Sequence, residues 1–303
     1  MQVSVVIPSY NHRQYVVEAI ESVLDQDWPD IDLIVIDDGS KDGSAEVIGE
    51  LLDRRGGFRL VARENRGLIR TLNEGISMAS GEYFCLLASD DYLPAGSLRS
   101  RAEFLVEHPG HVGVFADGLR ILEDAEPGER ILDERRRQLF SHSDPIPGFL
   151  KGLNLPIHTM MAKRDVFLRF GGFDSRYRYC EDLDVQLLLF LEGKVGFVDT
   201  PVYCYRLHGA NISLTNPQLA RADKVLCFRK YLEEVPRLAP YRKLIRHRLR
   251  RHYLALGRYL HNSGGGSERE RELFQGGWEF AWQDVRLLWY LLWWKLVGSR
   301  RTG

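Results

Sequence analysis

The stretch Tyr83-Phe84-Cys85-Leu86-Leu87-Ala88-Ser89-Asp90-Asp91 decides the fold. Six consecutive apolar or aromatic residues, bounded by turn formers, predict a buried strand. Two adjacent carboxylates follow at its carboxyl end, where open α/β sheets place their ligands. Taken alone, such a pair suits a solvated turn or a helix cap equally well. A magnesium or manganese ion on a nucleotide needs only one or two oxygen ligands from the protein.

Upstream, the β-branched run Val3-Ser4-Val5-Val6-Ile7 predicts a strand that Pro8 ends. Tyr15, Val16, Ala19, Ile20, Val23 and Leu24 recur at helical spacing. Ile31–Ile36 predicts a second strand, ending in Asp37-Asp38-Gly39-Ser40. A helix over 42–53, a strand over 58–62 and a helix over 69–79 lead into the strand at 83–88. The resulting βαβαβαβ order predicts a mostly parallel sheet covered by helices.

The second half is less regular. Gly113–Ala116 and His158–Ala162 predict strands, Asp182–Glu192 a helix, and Val195–Val198 and Val202–Tyr205 two short strands around Pro201. The charged stretch 123–137 predicts a loop. From Pro217 to Leu260 the pattern is helical and basic, and Asn262–Ser267 is a Gly-rich linker. Trp278–Val297 carries five tryptophans among leucines, but its unbroken apolar run is only Leu287–Trp294. That falls short of the ~20 residues needed to span a bilayer. Flanked by Arg286 and Lys295, it suits a helix lying in a membrane interface or docked on protein.

The 303 residues carry a net charge of -1, which gives no bulk attraction to nucleic acid. The charge is uneven: residues 1–117 hold 20 Asp/Glu and 10 Lys/Arg, while residues 221–261 hold 12 Lys/Arg and 3 Asp/Glu. This predicts an acidic catalytic part and a basic surface with different partners. Cys85, Cys180, Cys204 and Cys227 lack metal-ligand or redox spacing, which fits a reducing compartment. No basic region followed by an apolar core opens the sequence, so no signal peptide is expected.

In a parallel sheet the ends Pro8-Ser9-Tyr10-Asn11, Asp37-Asp38-Gly39-Ser40 and Ser89-Asp90-Asp91 lie on one side and can converge. Tyr10 could stack on a base, Asp38 could accept from a pyrimidine ring N–H, and Asp90 and Asp91 could hold a metal on a diphosphate. Neither a P-loop nor a G-x-G-x-x-G signature is present. In these motifs the sequence resembles the family 2 glycosyltransferases. Val5–Asn11, Ile34–Gly43, Glu64-Asn65-Arg66-Gly67 and Gly81-Glu82-Tyr83 leading to Asp90-Asp91 occur in the family's order, and the resemblance covers roughly residues 1–215.

The resemblance implies an α/β GT-A fold: a Rossmann-like, mostly parallel central sheet flanked by helices. It implies that Pro8, Tyr10 and Asp38 contact the nucleoside, that Asp91 binds Mn2+ or Mg2+, and that Asp90 lies near the ribose or sugar. It makes Asp182, after Gly171-Gly172-Phe173-Asp174, the general base of an inverting transfer. Glu181 and Asp184 are read as structural or acceptor-side. Within Tyr205–Asn211, His208 is implied as a metal ligand or a donor to a phosphate, and Arg206 as a donor-side support. Two positions depart from the family: Ala88 stands where many members have Asp, and Leu72 where many have Arg, with Arg70 one position off register.

The chain is thus read as a catalytic domain over 1–215, a basic helical extension over 216–262, and a linker with a Trp-rich helix over 263–303. The implied donor is a nucleoside-diphosphate sugar, a UDP-sugar first, and the acceptor a glycan or lipid-linked glycan of cell-surface polysaccharide synthesis. No nucleic acid is expected. Residues 221–303 point to peripheral association with the inner face of a membrane, and an oligomer is compatible with the sequence. The competing readings are a nucleotidyltransferase, which lacks its Gly-rich loop here, and a non-catalytic scaffold, which Ala88 favours.

Overall fold

A computed structural model describes residues 1–122, 128–209, 211, 220–264 and 266–296. The described chain forms two compact units. The first comprises Met1–Phe149, Leu153–Ser175 and Asp184–Gly209; the second comprises Leu150–Gly152, Arg176–Leu183 and Ala210–Gly303. The expected boundary at 215/216 lies outside the described residues. The second unit also takes in Arg176–Leu183, which the sequence reading gave to the catalytic domain.

The first unit is built on a seven-stranded sheet. Its strands are β1 (Val3–Ser9), β2 (Ile31–Asp37), β3 (Arg59–Ala62), β4 (Tyr83–Leu86), β5 (His111–Leu122), β6 (Met161–Lys163) and β7 (Lys194–Leu207). They lie in the order β3-β2-β1-β4-β6-β5-β7. The pairs β3–β2, β2–β1, β1–β4 and β5–β7 are parallel, and β6 is antiparallel to both its neighbours. The mostly parallel α/β architecture follows the sequence reading.

Burial on both faces explains the continuous apolar runs of β1, β2 and β4. On one face Val3, Val5, Ile7, Leu33, Val35 and Cys85 form one core with residues of helices α1 (Val16–Leu24), α2 (Ser44–Arg55) and α4 (Ser97–Glu107). Helix α3 (Leu68–Met78) packs on the opposite face, where Gly75 meets Val6. A Cβ on Gly75 would lie 2.3 Å from Val6 Cγ1. Gly75→Val is therefore expected to cost about 2 kcal/mol or more through overpacking, measured as a lowered urea midpoint.

Three expectations change. The two strands around Pro201 are one strand, β7. Val198 pairs with Ala116 and Pro201 with Asp117, so Asp199 and Thr200 bulge out at the proline. An edge strand with a bulge tolerates the missing proline N–H. The 123–137 stretch is not all loop: Glu134–Arg137 is a short helix capped by Asp133, while residues 123–127 lie outside the described ones. The Trp-rich segment is not one helix. It runs as a 3-10 turn over Gly276–Gln283 and an α-helix over Val285–Leu296, broken at Asp284.

In the second unit, Ala220–Glu233 and Arg242–Asn262 are helices. Ser267 ends the Gly-rich linker by forming a reciprocal cap with Glu270, which starts the helix Glu268–Gln275. All four cysteines are free and buried.

Candidate active site

Parallel register brings the carboxyl ends of β1 and β2 together, because Ser9 pairs with Asp37. The loops that follow are joined by hydrogen bonds. The Asp38 amide donates to the Ser9 carbonyl at 2.8 Å. The Asn11 amide donates to Ser40 Oγ at 2.9 Å, and the Lys41 amide to Asn11 Oδ1 at 2.8 Å. Asn11 takes a left-handed conformation, φ 56°, which asparagine tolerates better than most residues. This fixes the stretch from Pro8 to Asn11 and leaves Tyr10 46% exposed, with its ring available for stacking. Pro8, at the end of β1, is half-buried.

Asp38 is only 4% exposed. Its Oδ1 accepts from the Arg66 amide at 2.8 Å and from the Arg63 guanidinium, and its Oδ2 from the Gly67 amide at 2.8 Å. A carboxylate has about four acceptor positions. Among the described residues three are filled, so Oδ2 can accept one further N–H. Arg63 also bonds Glu74 Oε2 at 3.0 Å and Thr71 Oγ1 at 2.9 Å. The sequence reading missed Arg63, although its place directly after β3 was a usable signal. Leu72 is buried and Arg70 exposed.

The Asp90-Asp91 loop is held by β7. The amides of Tyr92 and Cys204 each donate to the other's carbonyl, at 3.3 and 2.9 Å. Asp91 is 2% exposed; Oδ1 accepts from the Arg206 amide at 2.7 Å, and Oδ2 from the Tyr203 hydroxyl. Burial and the neighbouring Asp90 push its carboxyl up to about 8. The bonds from Tyr203 and Arg206 tie the Asp90-Asp91 loop to β7.

Asp90 is the member of the pair with a ligand's surroundings. Its Oδ2 lies 3.0 Å from His208 Nε2 and 3.8 Å from His12 Nε2. Two adjacent ligands of an octahedral ion at about 2.1 Å are about 3.0 Å apart. Carboxylate and imidazole thus fit one divalent cation, provided His208 Nε2 is unprotonated. No cluster of three such ligands occurs among the described residues. Two suffice for an ion that takes its other ligands from water and a diphosphate.

Arg206 lies beneath this site, 8% exposed. Its guanidinium donates to the Asp90 carbonyl at 3.1 Å and to Glu18 Oε2 at 2.6 Å, and it sits 5.0 Å from the Tyr15 ring centroid. Tyr15 stacks in turn on His208 at 5.0 Å. Arg206 thus braces the Asp90 loop. Sequence reasoning missed His12, whose Nδ1 lies 2.9 Å from Ser89 Oγ, and Tyr203. His12 directly follows the Pro8–Asn11 motif, which was a signal. It also missed His158, stacked on Tyr203 at 5.1 Å, for which the sequence held none.

Asp182 belongs to the second unit, at the start of the helix Glu181–Glu192. Its Oδ1 accepts from the Leu183 amide at 2.8 Å. Burial pushes its carboxyl up to about 6, against a weaker opposing pull from Lys224. Glu181 is pushed up to about 8 by burial and by Asp182. The preceding segment is anchored by the fully buried Asp223, whose Oδ2 accepts from the amides of Arg178 at 2.5 Å and Tyr179 at 2.6 Å. Arg269 neutralises Asp223 at 2.6 Å and also donates to the Arg176 carbonyl. Neither Asp223 nor Arg269 figured in the sequence reading.

Known proteins resemble this chain in sequence and fold. A glycosyltransferase named GlyG from Streptococcus pneumoniae serotype 4 is 25% identical over 249 residues, 77% of this chain and 80% of that protein. The fold matches S. aureus TarS 1-349 in complex with UDP, with a TM-score of 0.66, 17% identity, and coverage of 96% of this chain and 89% of that one. It also matches a Pyrobaculum calidifontis mannosyltransferase in complex with GDP-Man and Mn2+, with a TM-score of 0.62, 18% identity, and coverage of 96% and 85%. These likenesses establish the GT-A fold. The family model for glycosyl transferase family 2 matches residues 4–167, more than half of the chain, and the chain belongs to that family.

Proposed function

We propose that this glycosyltransferase moves a sugar, with inversion, from a UDP-sugar to a hydroxyl of a glycan or lipid-linked glycan in cell-surface polysaccharide synthesis, at the inner face of a membrane. The observation that carries the reading is the gathering of Tyr10, Asp38 and the Asp90–His208 pair around the carboxyl ends of β1, β2 and β4. Each suits one part of such a donor. Tyr10 stacks on the base, with Pro8 beside it. The remaining acceptor position of Asp38 takes the imide N–H of uracil. Asp90 and His208 hold Mn2+ or Mg2+, which when bound offsets the negative charge of the leaving diphosphate. The relatives solved with UDP and with GDP-Man and Mn2+ support a metal-bound nucleotide sugar.

Asp182 acts as general base. It takes the proton from the acceptor hydroxyl as the oxygen attacks the anomeric carbon opposite the departing diphosphate. A carboxyl held near 6 is a better proton acceptor than an exposed aspartate and is still mostly ionised at neutral pH. Arg206, Tyr15 and Tyr203 position the Asp90 loop without touching donor.

A panel of nucleoside-diphosphate sugars with manganese tests the proposal. UDP and one UDP-sugar are expected to raise the melting temperature in a manganese-dependent way, and that sugar to be hydrolysed slowly without acceptor. No shift with any nucleoside diphosphate would refute the proposal.

A further inference from the structure

The helix Val285–Leu296 is apolar nearly all the way round. Leu287, Leu291 and Trp294 are buried within the second unit. A second stripe faces outward. Val285, Trp289, Leu292 and Leu296 recur at i, i+4, i+7 and i+11 and are 78, 49, 43 and 63% exposed. Trp282, just before the helix, is 80% exposed and continues the apolar surface. Soluble proteins rarely leave a contiguous apolar surface of this kind without a partner. At 1.5 Å per residue the helix is about 18 Å long, too short to cross a hydrocarbon core of about 30 Å. Among the described residues no helix is long and apolar enough to cross a membrane.

The helix Arg242–Asn262 supplies the complementary charge. One of its faces packs against the C-terminal segment. The Arg246 guanidinium lies 5.0 Å from the Phe280 ring, Arg250 Nη1 donates to the Gln283 carbonyl at 3.1 Å, and Gly257 abuts Phe274 and Tyr290. His247, Arg251 and Arg258 each follow one of these positions by one residue, a turn of 100°, and Lys243 lies one helical turn before His247. All four are exposed, and among the described residues Lys243, Arg251 and Arg258 make no ion pair. No acid occurs between Ala239 and Asn262 to neutralise them. A cationic stripe thus runs beside the helix face that packs on the C-terminal segment.

We infer that Trp282, just before the C-terminal helix, and Trp289 and Leu292 on it form, together with the cationic stripe of the helix Arg242–Asn262, a docking face for a bilayer with anionic headgroups. The tryptophans and leucines enter the headgroup boundary, and the lysine and arginines meet lipid phosphates. This deepens the membrane location proposed above and names the surface. It does not depend on the donor or on the transfer step.

The full-length chain is tested by flotation with vesicles of phosphatidylcholine alone and of phosphatidylcholine with phosphatidylglycerol. Wild type is expected to float only with the anionic vesicles and to be released by high salt. Trp289→Ser with Leu292→Ser is expected to weaken binding tenfold or more. Lys243→Glu with Arg251→Glu is expected to weaken it by at least about fivefold per charge. Every substituted side chain is exposed, so circular dichroism is expected to stay unchanged. The melting shift with UDP and manganese is recorded on the same samples, which separates a failed docking face from a failed donor site. Wild type that stays unbound to anionic vesicles, or an apolar double variant that floats as wild type does, overturns the inference. A wild-type dimer that never floats and becomes monomeric on Trp289→Ser overturns it in favour of a second copy of the chain.

Discussion

Asp182→Asn is expected to lower the transfer rate by about 10²–10⁴-fold and to leave the manganese-dependent melting shift with UDP intact. The substitution keeps shape and removes the proton acceptor. A pH profile adds a second readout. Burial disfavours the ionised form of Asp182 and raises its carboxyl to about 6. The rate of the native enzyme should therefore be level above that value and fall about tenfold per pH unit below it. The stability effect has the opposite sense. A carboxyl raised in the folded state binds its proton more tightly there than in the unfolded chain. Stability from this group is present below the unfolded value near 4 and is lost as pH rises through about 6. The Asn variant should then melt no lower than wild type at pH 8. Full transfer by Asp182→Asn, or equal loss of UDP binding, would remove Asp182 from the role of base.

Asp90→Ala is expected to abolish the manganese-dependent part of the UDP melting shift together with transfer, while the metal-free protein melts close to wild type. Asp91→Asn should behave differently. Its amide would turn an N–H toward one of the donors now shared by Tyr203 and Arg206. A buried donor left unsatisfied costs about 1–3 kcal/mol. A lowered melting temperature without ligand is thus the mark of Asp91, and lost metal dependence in a stable protein the mark of Asp90. The reverse pattern would return the metal to Asp91.

The difference between these two aspartates shows where sequence reading stops. β1, β2 and β4 were legible because a strand buried on both faces must be apolar throughout, and their polar ends followed from parallel pairing. Which member of Asp90-Asp91 points inward depends on Tyr203 and Arg206, more than a hundred residues away. Their positions relative to Asp91 are set by the pairing of β7 with β5, which no local spacing encodes. Pro201 hid that pairing further, because a proline reads as a strand end unless a bulge accommodates it. Arg206 was identified as important, and its guanidinium donates to the Asp90 carbonyl and Glu18. A charge count cannot name such partners. The acidic Glu181-Asp182 pair was visible at once. The Asp223–Arg269 anchor that fixes the segment before it was not, since it joins three separate parts of the chain.

That anchor bears on how such a chain can be divided or recombined. The sheet ends at Leu207, and a breakpoint just after it would seem natural to an engineer or to evolution. Yet the residues leading to Asp182 fold with helices that follow in sequence, through Asp223 and Arg269. A fragment stopping at the sheet would keep the loops at the ends of β1, β2 and β4 and forfeit the support of the segment that leads to Asp182. Exchange of C-terminal halves between relatives would transplant that support along with the C-terminal helix Val285–Leu296. The surroundings of Asp182 and the C-terminal helix are thereby inherited together, and the nucleotide-side loops of the sheet are free to vary apart from them.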